Sequence, residues 1–181
     1  NYAGFGGGAI ISAGGPSLTI TGSSFDGNSG GLSGGALYLN GSSASISTST
    51  FVGNSAETGG AVQSNSGTVD VANSTCVEDT AINGCAIDNR LGAMTIGYST
   101  LLNNDASGQG DSLENQTLGS TLAVQASILQ GLGASNCAGT IGNLLLPGRP
   151  ARAADYKALV CIFLYGGNDG LNTVVPTDAT R

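Results

Sequence analysis

Apolar and polar residues alternate over short stretches throughout residues 1–142. Pairs of apolar residues separated by one small or polar residue recur about every 25 residues. These pairs are Leu18/Ile20, Ala44/Ile46, Val69/Val71, Met94/Ile96 and Leu122/Val124. A period of two is typical of β-strands with one buried face, whereas no stretch sustains the period of about 3.6 residues that marks an amphipathic helix. The pattern therefore predicts short strands and disfavours helices, which the frequent glycines would also destabilise.

This strand pattern belongs to a unit that is repeated five times. Each repeat opens with glycine followed by a small or polar residue, and the opening positions are Gly7, Gly34, Gly59, Gly84 and Gly110. A spacing of 25 to 27 residues fits one turn of three short strands, stacked on the next turn about 4.8 Å away. The sequence predicts an all-β right-handed parallel β-helix, or solenoid, of about five coils, followed by a non-repeat C-terminal tail.

Three columns of equivalent residues follow from this register. A column of larger apolar residues, expected to fill the interior, consists of Phe25, Phe51, Cys76, Leu101 and Leu129. Two polar columns, expected at the bends, consist of Ser23, Ser49, Ser74, Ser99 and Ser127, and of Asn28, Asn54, Asp79 and Asn104. We expect these to be structural ladders that satisfy buried backbone groups. The rung at Asp79 should be weaker, because a carboxylate accepts hydrogen bonds but donates none.

Charge divides the chain near residue 142. Residues 1–142 carry nine acidic residues and one basic residue, whereas residues 143–181 carry three acidic and four basic residues. Serine is confined to the first part. We therefore predict a repeat domain over 1–142 and a tail over 143–181 that consists of a linker and one apolar strand at 158–165.

The composition excludes several kinds of site. The chain has no His, which excludes Ser-His-Asp and Cys-His relays and His-ligated metals. Five Lys and Arg against twelve Asp and Glu give a net charge of −7, without the basic surface that binds nucleic acid. No apolar run approaches the roughly 18 residues of a membrane span. We expect no cofactor, no nucleic-acid partner and no membrane span.

The four cysteines leave two interpretations open. Their spacing lacks the C-x-x-C pattern of zinc sites. Cys76 lies in the apolar column, which favours a buried free thiol, but a bridge to Cys85 nine residues later is the alternative. The pairing of Cys137 and Cys161 is left undetermined.

Acidic side chains form one candidate site. In the strand after each opening glycine, the outward column reads Ile11, Tyr38, Gln63, Asp88 and Glu114. Asp88 and Glu114 would be stacked neighbours, with Arg90 two residues farther along the same face. The cluster is either a small sugar or cation site, or a solvated edge of an acidic surface. In both cases we expect these side chains to face solvent.

Two segments resemble known repeat families. STFVGNSAETGGAV (49–62) and YSTLLNNDAS (98–107) are similar to the GGAI and FxxN repeats of polymorphic outer-membrane proteins and to the right-handed β-helix repeats of the choice-of-anchor Q family. The resemblance extends over residues 4–142. The segment 137–141 also resembles the last coil of the latter family, but the Gly-Tyr-Asn-Leu run and second cysteine that normally follow are missing. The resemblance implies a secreted or surface-displayed protein, often adhesive, without an assigned enzymatic activity.

The tail resembles a different family. Residues 154–178 are similar to the first mature strand and loop of Tat-exported, sulfatase-like proteins of unknown function, and 151–153 has the form of a signal-peptidase site. The resemblance would put Asn168 and Asp169 near the start of that family's site. The matching stretch is too short to fold or act alone, which is typical of a fusion or a gene boundary.

Together these patterns predict a non-enzymatic exported module, extracellular or on a bacterial cell surface. We expect it to act in display, adhesion or filament-forming self-association, because open solenoid ends expose strand edges that favour head-to-tail stacking. Candidate partners are a second copy of the chain, a surface glycan and a host or cell-surface partner. Two alternatives stay open: a fragment of a carbohydrate-active β-helix enzyme of the polysaccharide lyase or hydrolase type, and a fusion with no evolved function of its own.

Overall fold

The computed structural model describes residues 1–15, 17–116, 119–132 and 136–139. Seventeen strands and no helix lie in these ranges. The predicted boundary at 142/143 and the tail lie outside them, together with the apolar strand 158–165, Cys161, Asn168 and Asp169. The described part confirms the predicted fold class, since it is an all-β solenoid of about five turns in which parallel strands stack from turn to turn.

Each turn contributes one strand to each of three parallel sheets. Sheet 1 contains, in order, β1 (Ile10–Ala13), β4 (Leu37–Asn40), β7 (Val62–Ser64), β11 (Ile87–Asn89), β14 (Leu113–Asn115) and β17 (Cys137–Gly139). Sheet 2 contains β2 (Leu18–Thr21), β5 (Ala44–Ser47), β8 (Thr68–Ala72), β12 (Ala93–Gly97) and β15 (Thr121–Gln125). Sheet 3 contains β3 (Ser24–Asp26), β6 (Thr50–Val52), β9 (Thr75–Val77), β13 (Thr100–Gln109) and β16 (Ile128–Gly131), and β10 (Thr80–Asn83) pairs with the far end of β13.

Left-handed residues mark the bends between the sheets. We number the turns 1 to 5 from the glycines that open them, Gly7, Gly34, Gly59, Gly84 and Gly110, all of which have positive φ. Two further left-handed columns directly precede the polar ladders: Gly22, Thr48, Asn73, Tyr98 and Ala126 before the serines, and Gly27, Gly53, Glu78 and Asn103 before the Asn and Asp residues. A left-handed residue other than glycine costs about 1–2 kcal/mol. The strands other than β13 are three to five residues long because the chain turns at these fixed positions, whereas β13 continues past Asn103.

The interior is a continuous apolar stack. The rings of Phe25 and Phe51 are stacked, with centroids 4.9 Å apart and planes at 7°. Cys76, Leu101 and Leu129 continue this column in register. Burial of each large apolar side chain contributes about 1.5–3 kcal/mol. The stacked interior is therefore the main source of stability.

Two irregularities interrupt the regular stacking, and one of them is a register shift between Leu102 and Asn104 where β13 pairs with β16. The register between β10 and β13 shifts after Ala81, so that Asn83 lies opposite Gln109 instead of Gly108. The extra residue in β13 forms a β-bulge. Because it lies between the asparagine ladder and Gly110, turn 4 is one residue longer than turns 2 and 3.

Candidate functional site

The serine column forms a continuous hydrogen-bond ladder. The backbone N–H groups of Ser23, Ser49, Ser74 and Ser99 each donate to the Oγ of the serine one turn farther on, at 3.1–3.2 Å. Each serine Oγ, including that of Ser127, donates to the carbonyl two residues before it, at 2.8–3.1 Å. The serines thus lie at the bend between sheets 2 and 3 and provide acceptors for its backbone amides.

The asparagine column forms a second ladder, which follows the ends of β3, β6 and β9 and continues at Asn104 within β13. The backbone N–H and Nδ2 of Asn28 both donate to Asn54 Oδ1, at 3.0 and 2.9 Å. Asn54 makes the same two bonds to Asp79 Oδ1, at 2.8 and 2.9 Å, and the Asp79 N–H donates to Asn104 Oδ1 at 3.0 Å. All four side chains are buried. Each rung therefore satisfies polar groups that solvent does not reach.

Asp79 differs from the other members of this ladder. Its Oδ2 is buried without a hydrogen-bond partner. Burial raises the pKa of the Asp79 carboxyl to about 7, although the hydrogen bonds from Asn54 lower it in part. The Cys85 thiol lies close by, since it donates to the backbone carbonyl oxygens of Asp79 and Asp105.

The structure brings the two predicted acidic side chains together. Asp88 on β11 and Glu114 on β14 are register partners. A Cβ atom added to Gly84 would lie 2.8 Å from the Asp88 Cβ and 3.0 Å from the Glu114 Cβ. From the preceding turn, Gln63 Nε2 donates to Asp88 Oδ2 at 2.8 Å. The acids therefore belong to a three-residue polar column on the outer side of sheet 1.

Arg90 joins this cluster through an intermediate side chain. Arg90 Nε donates to Gln116 Oε1 at 3.0 Å, and Gln116 Nε2 donates to Glu114 Oε2 at 3.0 Å. Arg90 is exposed. The cation thus lies at the rim of the cluster, whereas Asp88 lies deeper.

The expectation that these side chains face solvent is wrong for Asp88 and Glu114, and it holds for Arg90. Asp88 and Gln63 are fully buried, and Glu114 is only 9% exposed. The reason is that the chain leading into each opening glycine folds across the outer side of sheet 1. Thr58 Oγ1, for example, accepts a hydrogen bond from Gln63 Nε2. Glycine suits position 84 because a side chain there would collide with Asp88 and because its φ is positive.

Burial makes Asp88 a weak acid. It raises the pKa of Asp88 to about 7, while the hydrogen bond from Gln63 lowers it, the charge of Glu114 raises it and Arg90 lowers it. The pKa of Glu114 is also raised, mainly by burial. Asp88 Oδ1 and Gln63 Oε1 are both closed off from solvent without a hydrogen-bond partner. The cluster can hold a proton inside the fold, but Asp88 is not accessible to a large substrate.

Two polar features were missed by the sequence analysis. Asn1 is a further rung of the asparagine ladder, because its Nδ2 donates to Asn28 Oδ1 at 3.2 Å. Its 27-residue separation from Asn28 is the signal that could have revealed it. Inside sheet 1, Ser64, Asn89 and Asn115 form a buried polar column in register, and Asn89 Nδ2 donates to Asn115 Oδ1 at 2.8 Å. The signal that could have revealed this column is the position of its three residues, each of which follows the opening glycine of its turn by five residues.

Cys76 and Cys85 are buried free thiols, so the alternative 76–85 bridge is not formed. Burial raises the pKa of both thiols, to about 12 for Cys85. Among the described residues, no group of three or more His, Cys, Asp and Glu side chains is arranged to hold a metal ion. The same ranges contain no helix with the length and apolar character needed to cross a membrane.

Comparisons of this chain with protein-family models, with curated proteins and with solved structures find no match.

Proposed function

We propose that this chain is a non-enzymatic, exported β-solenoid that displays its outer surface and assembles head-to-tail. The proposal rests on the parallel stacking of equivalent strands, in which each described turn adds one strand to each of the same three sheets. Unpaired edges offer backbone donors and acceptors to further strands. A second copy can therefore continue all three sheets, and such a contact propagates.

Exposed apolar side chains of turn 1 favour this contact. Ile10 and Leu18 are only half-buried, although the equivalent residues one turn farther on are buried. Tyr2 and Phe5 are 78% and 80% exposed. Covering such surface stabilises a complex by about 25 cal/mol for each Å² of apolar area removed from water.

Charge directs the contact to the ends of the solenoid. Because the chain has a net charge of −7, side-by-side contacts between copies bring like charges together. The edge strands β1, β2 and β3 contain one charged residue, Asp26, and β15, β16 and β17 contain none. End-to-end stacking therefore meets less repulsion than lateral association.

The GGAI and FxxN motifs support an extracellular or bacterial cell-surface location, as in the polymorphic outer-membrane and choice-of-anchor Q repeats that they resemble. A surface glycan or a host-cell protein is the expected partner of the displayed side wall.

A carbohydrate-active enzyme is the less favoured alternative. Such enzymes act through carboxyl groups that a polysaccharide can reach, and the burial of Asp88 weighs against that role. Cleavage of a polysaccharide by the purified chain, abolished in Asp88→Asn, would overturn the non-enzymatic part of the proposal.

Sedimentation velocity over a wide concentration range tests the assembly. In β2 the Leu18 N–H donates to the Ser43 carbonyl at 2.9 Å, so the Thr19 N–H points away from β5. Thr19→Pro removes this donor without breaking an internal bond, because proline is tolerated at sheet edges. Thr19→Val is the matched control, since it keeps the N–H.

We expect the wild type and T19V to form concentration-dependent oligomers and T19P to stay monomeric with the same circular dichroism spectrum. A wild type that is monomeric at every concentration, or equal assembly of T19P and T19V, would overturn the proposal.

A further inference from the structure

Asp79 occupies a position that an asparagine fills in turns 1, 2 and 4. In turn 2, Asn54 Nδ2 donates both to Asp79 Oδ1, at 2.9 Å, and to the Phe25 carbonyl oxygen, at 3.1 Å. In turn 4, Asn104 Nδ2 likewise donates to the Cys76 carbonyl oxygen, at 3.2 Å. The amide nitrogen of the ladder thus bonds backward, to the strand of the preceding turn, as well as forward along the column.

The equivalent atom of Asp79 is Oδ2, and the groups on both sides of it are acceptors. By equivalence with the other rungs, the neighbours of Oδ2 are the Phe51 carbonyl oxygen in the preceding turn and Asn104 Oδ1 in the following turn. Oδ2 is buried and has no hydrogen-bond partner. An ionised carboxylate would put a buried negative charge between two oxygen lone pairs, which is strongly unfavourable. A proton on Oδ2 would convert it into a donor and restore the bond that the amide makes elsewhere.

We propose that Asp79 is a proton-dependent lock in the middle of the solenoid: the protonated carboxyl completes the asparagine ladder, and ionisation opens the ladder at this rung. Turns 2 to 4 are then held together less tightly when Asp79 loses its proton, so that their stability depends on pH. This inference does not depend on the proposed self-assembly.

The surroundings of Asp79 favour the neutral form. The titratable groups that face it are the buried thiols of Cys76 and Cys85. Glu78, next along the chain, and Asp105, across the sheet, have exposed acidic side chains. Among the described residues, no Lys or Arg contributes to the pKa of Asp79, which burial raises from 3.8 to about 7.

The sign of the effect follows from proton linkage. The folded protein binds this proton more tightly than the unfolded chain, so the stability it contributes is fully present below about pH 4 and is lost as the pH rises through about 7. A difference of about three pKa units corresponds to an increase of about a thousandfold in the unfolding equilibrium constant across the whole window.

Asp79→Asn tests the lock, because asparagine supplies the amide without a titratable group. Between about pH 5 and pH 8, the unfolding equilibrium constant of the wild type should rise about a hundredfold more than that of D79N. Glu57→Gln, at an exposed position, is the control that removes one carboxylate, leaves this rung intact and keeps the contribution of Asp79. In the double variant Asn54→Asp/Asp79→Asn, which moves the carboxyl one rung without changing the net charge, the pH dependence should return.

Two measurements that report on the Asp79 carboxyl and its ladder directly complement the stability measurements. At about pH 6 the infrared carbonyl band of protonated carboxyl groups should be weaker in D79N than in the wild type by one carboxyl group, because Asp88 keeps its proton in both. Hydrogen exchange at the Asn54 and Asp79 amides, corrected for intrinsic rates, should accelerate above neutrality in the wild type only. Equal pH dependence of the wild type and D79N, or no difference in the carboxyl band, would overturn the proposal. The infrared comparison tests the proposal even if the double variant does not fold.

Discussion

Ser74→Ala is expected to destabilise the solenoid by about 2–4 kcal/mol. Ser74 is 2% exposed; its Oγ accepts from the Ser49 N–H at 3.2 Å and donates to the Ala72 carbonyl at 2.9 Å. The Ala72 carbonyl keeps its bond from the Thr48 N–H, at 3.1 Å. The main loss therefore falls on the Ser49 amide, which is left buried without an acceptor. An unsatisfied buried donor costs about 1–3 kcal/mol, and the lost hydroxyl bond adds about 1 kcal/mol.

Ser23→Ala is the matched control, because it deletes the same atom at the first serine rung. The Ser23 Oγ donates to the Thr21 carbonyl at 3.1 Å in an exposed position, so we expect a cost below about 0.5 kcal/mol. Urea unfolding followed by circular dichroism measures both free energies, and an unchanged m-value attributes the midpoint shift to stability alone. A loss in S74A within about 0.5 kcal/mol of that in S23A would refute the reasoning, since it would mean that the Ser49 amide needs no side-chain acceptor.

Three further outcomes test other parts of the structure. Asp88→Asn should remove a loss of about 3 kcal/mol that this carboxyl causes in the wild type as the pH rises from about 4 to about 7, because burial raises the folded-state pKa of Asp88 to about 7. Urea unfolding at each pH measures this loss, and Glu57→Gln, at an exposed position, should leave it unchanged. Phe51→Ala should cost about 3–5 kcal/mol and Phe25→Ala less, because Phe51 has a turn on each side; thermal unfolding ranks the two. Thr48→Gly should be neutral or stabilise by up to about 1 kcal/mol in the same assay, because a φ of 50° strains a β-branched residue; a clear loss would contradict that account.

The repeat period predicts the fold because stacked parallel turns require equivalent residues to coincide. Phe25 and Phe51 are 26 residues apart, and a solenoid with one such residue in each turn makes them neighbours. A slip of one residue would move every apolar side chain of a strand to the outside. The serine and asparagine columns could be identified in the same way, since their places in the repeat are constant.

The burial of Asp88 could not be predicted from the period. Alternation determines which side of a strand a residue occupies, but not which other segment covers that side. The opening glycines are a trace of the covering chain, since the missing side chains of Gly59, Gly84 and Gly110 leave room for Gln63, Asp88 and Glu114. The inner column of Asn89 and Asn115 was missed for a related reason, because alternation predicts apolar residues on the inner side. Polar groups can occupy that place here because they bond to one another from turn to turn.

The bulge in β13 identifies a seam, the segment between Ala106 and Gln109, where the repeat accommodates an inserted residue. One extra residue enters between Ala106 and Gln109, while Leu101 and Leu113 on either side stay fully buried in register with their neighbours. A foreign peptide grafted at this seam would project from the outer wall and leave the stacked interior in place. The solenoid thereby offers a rigid scaffold for presenting an epitope or a tag at a defined height along its axis.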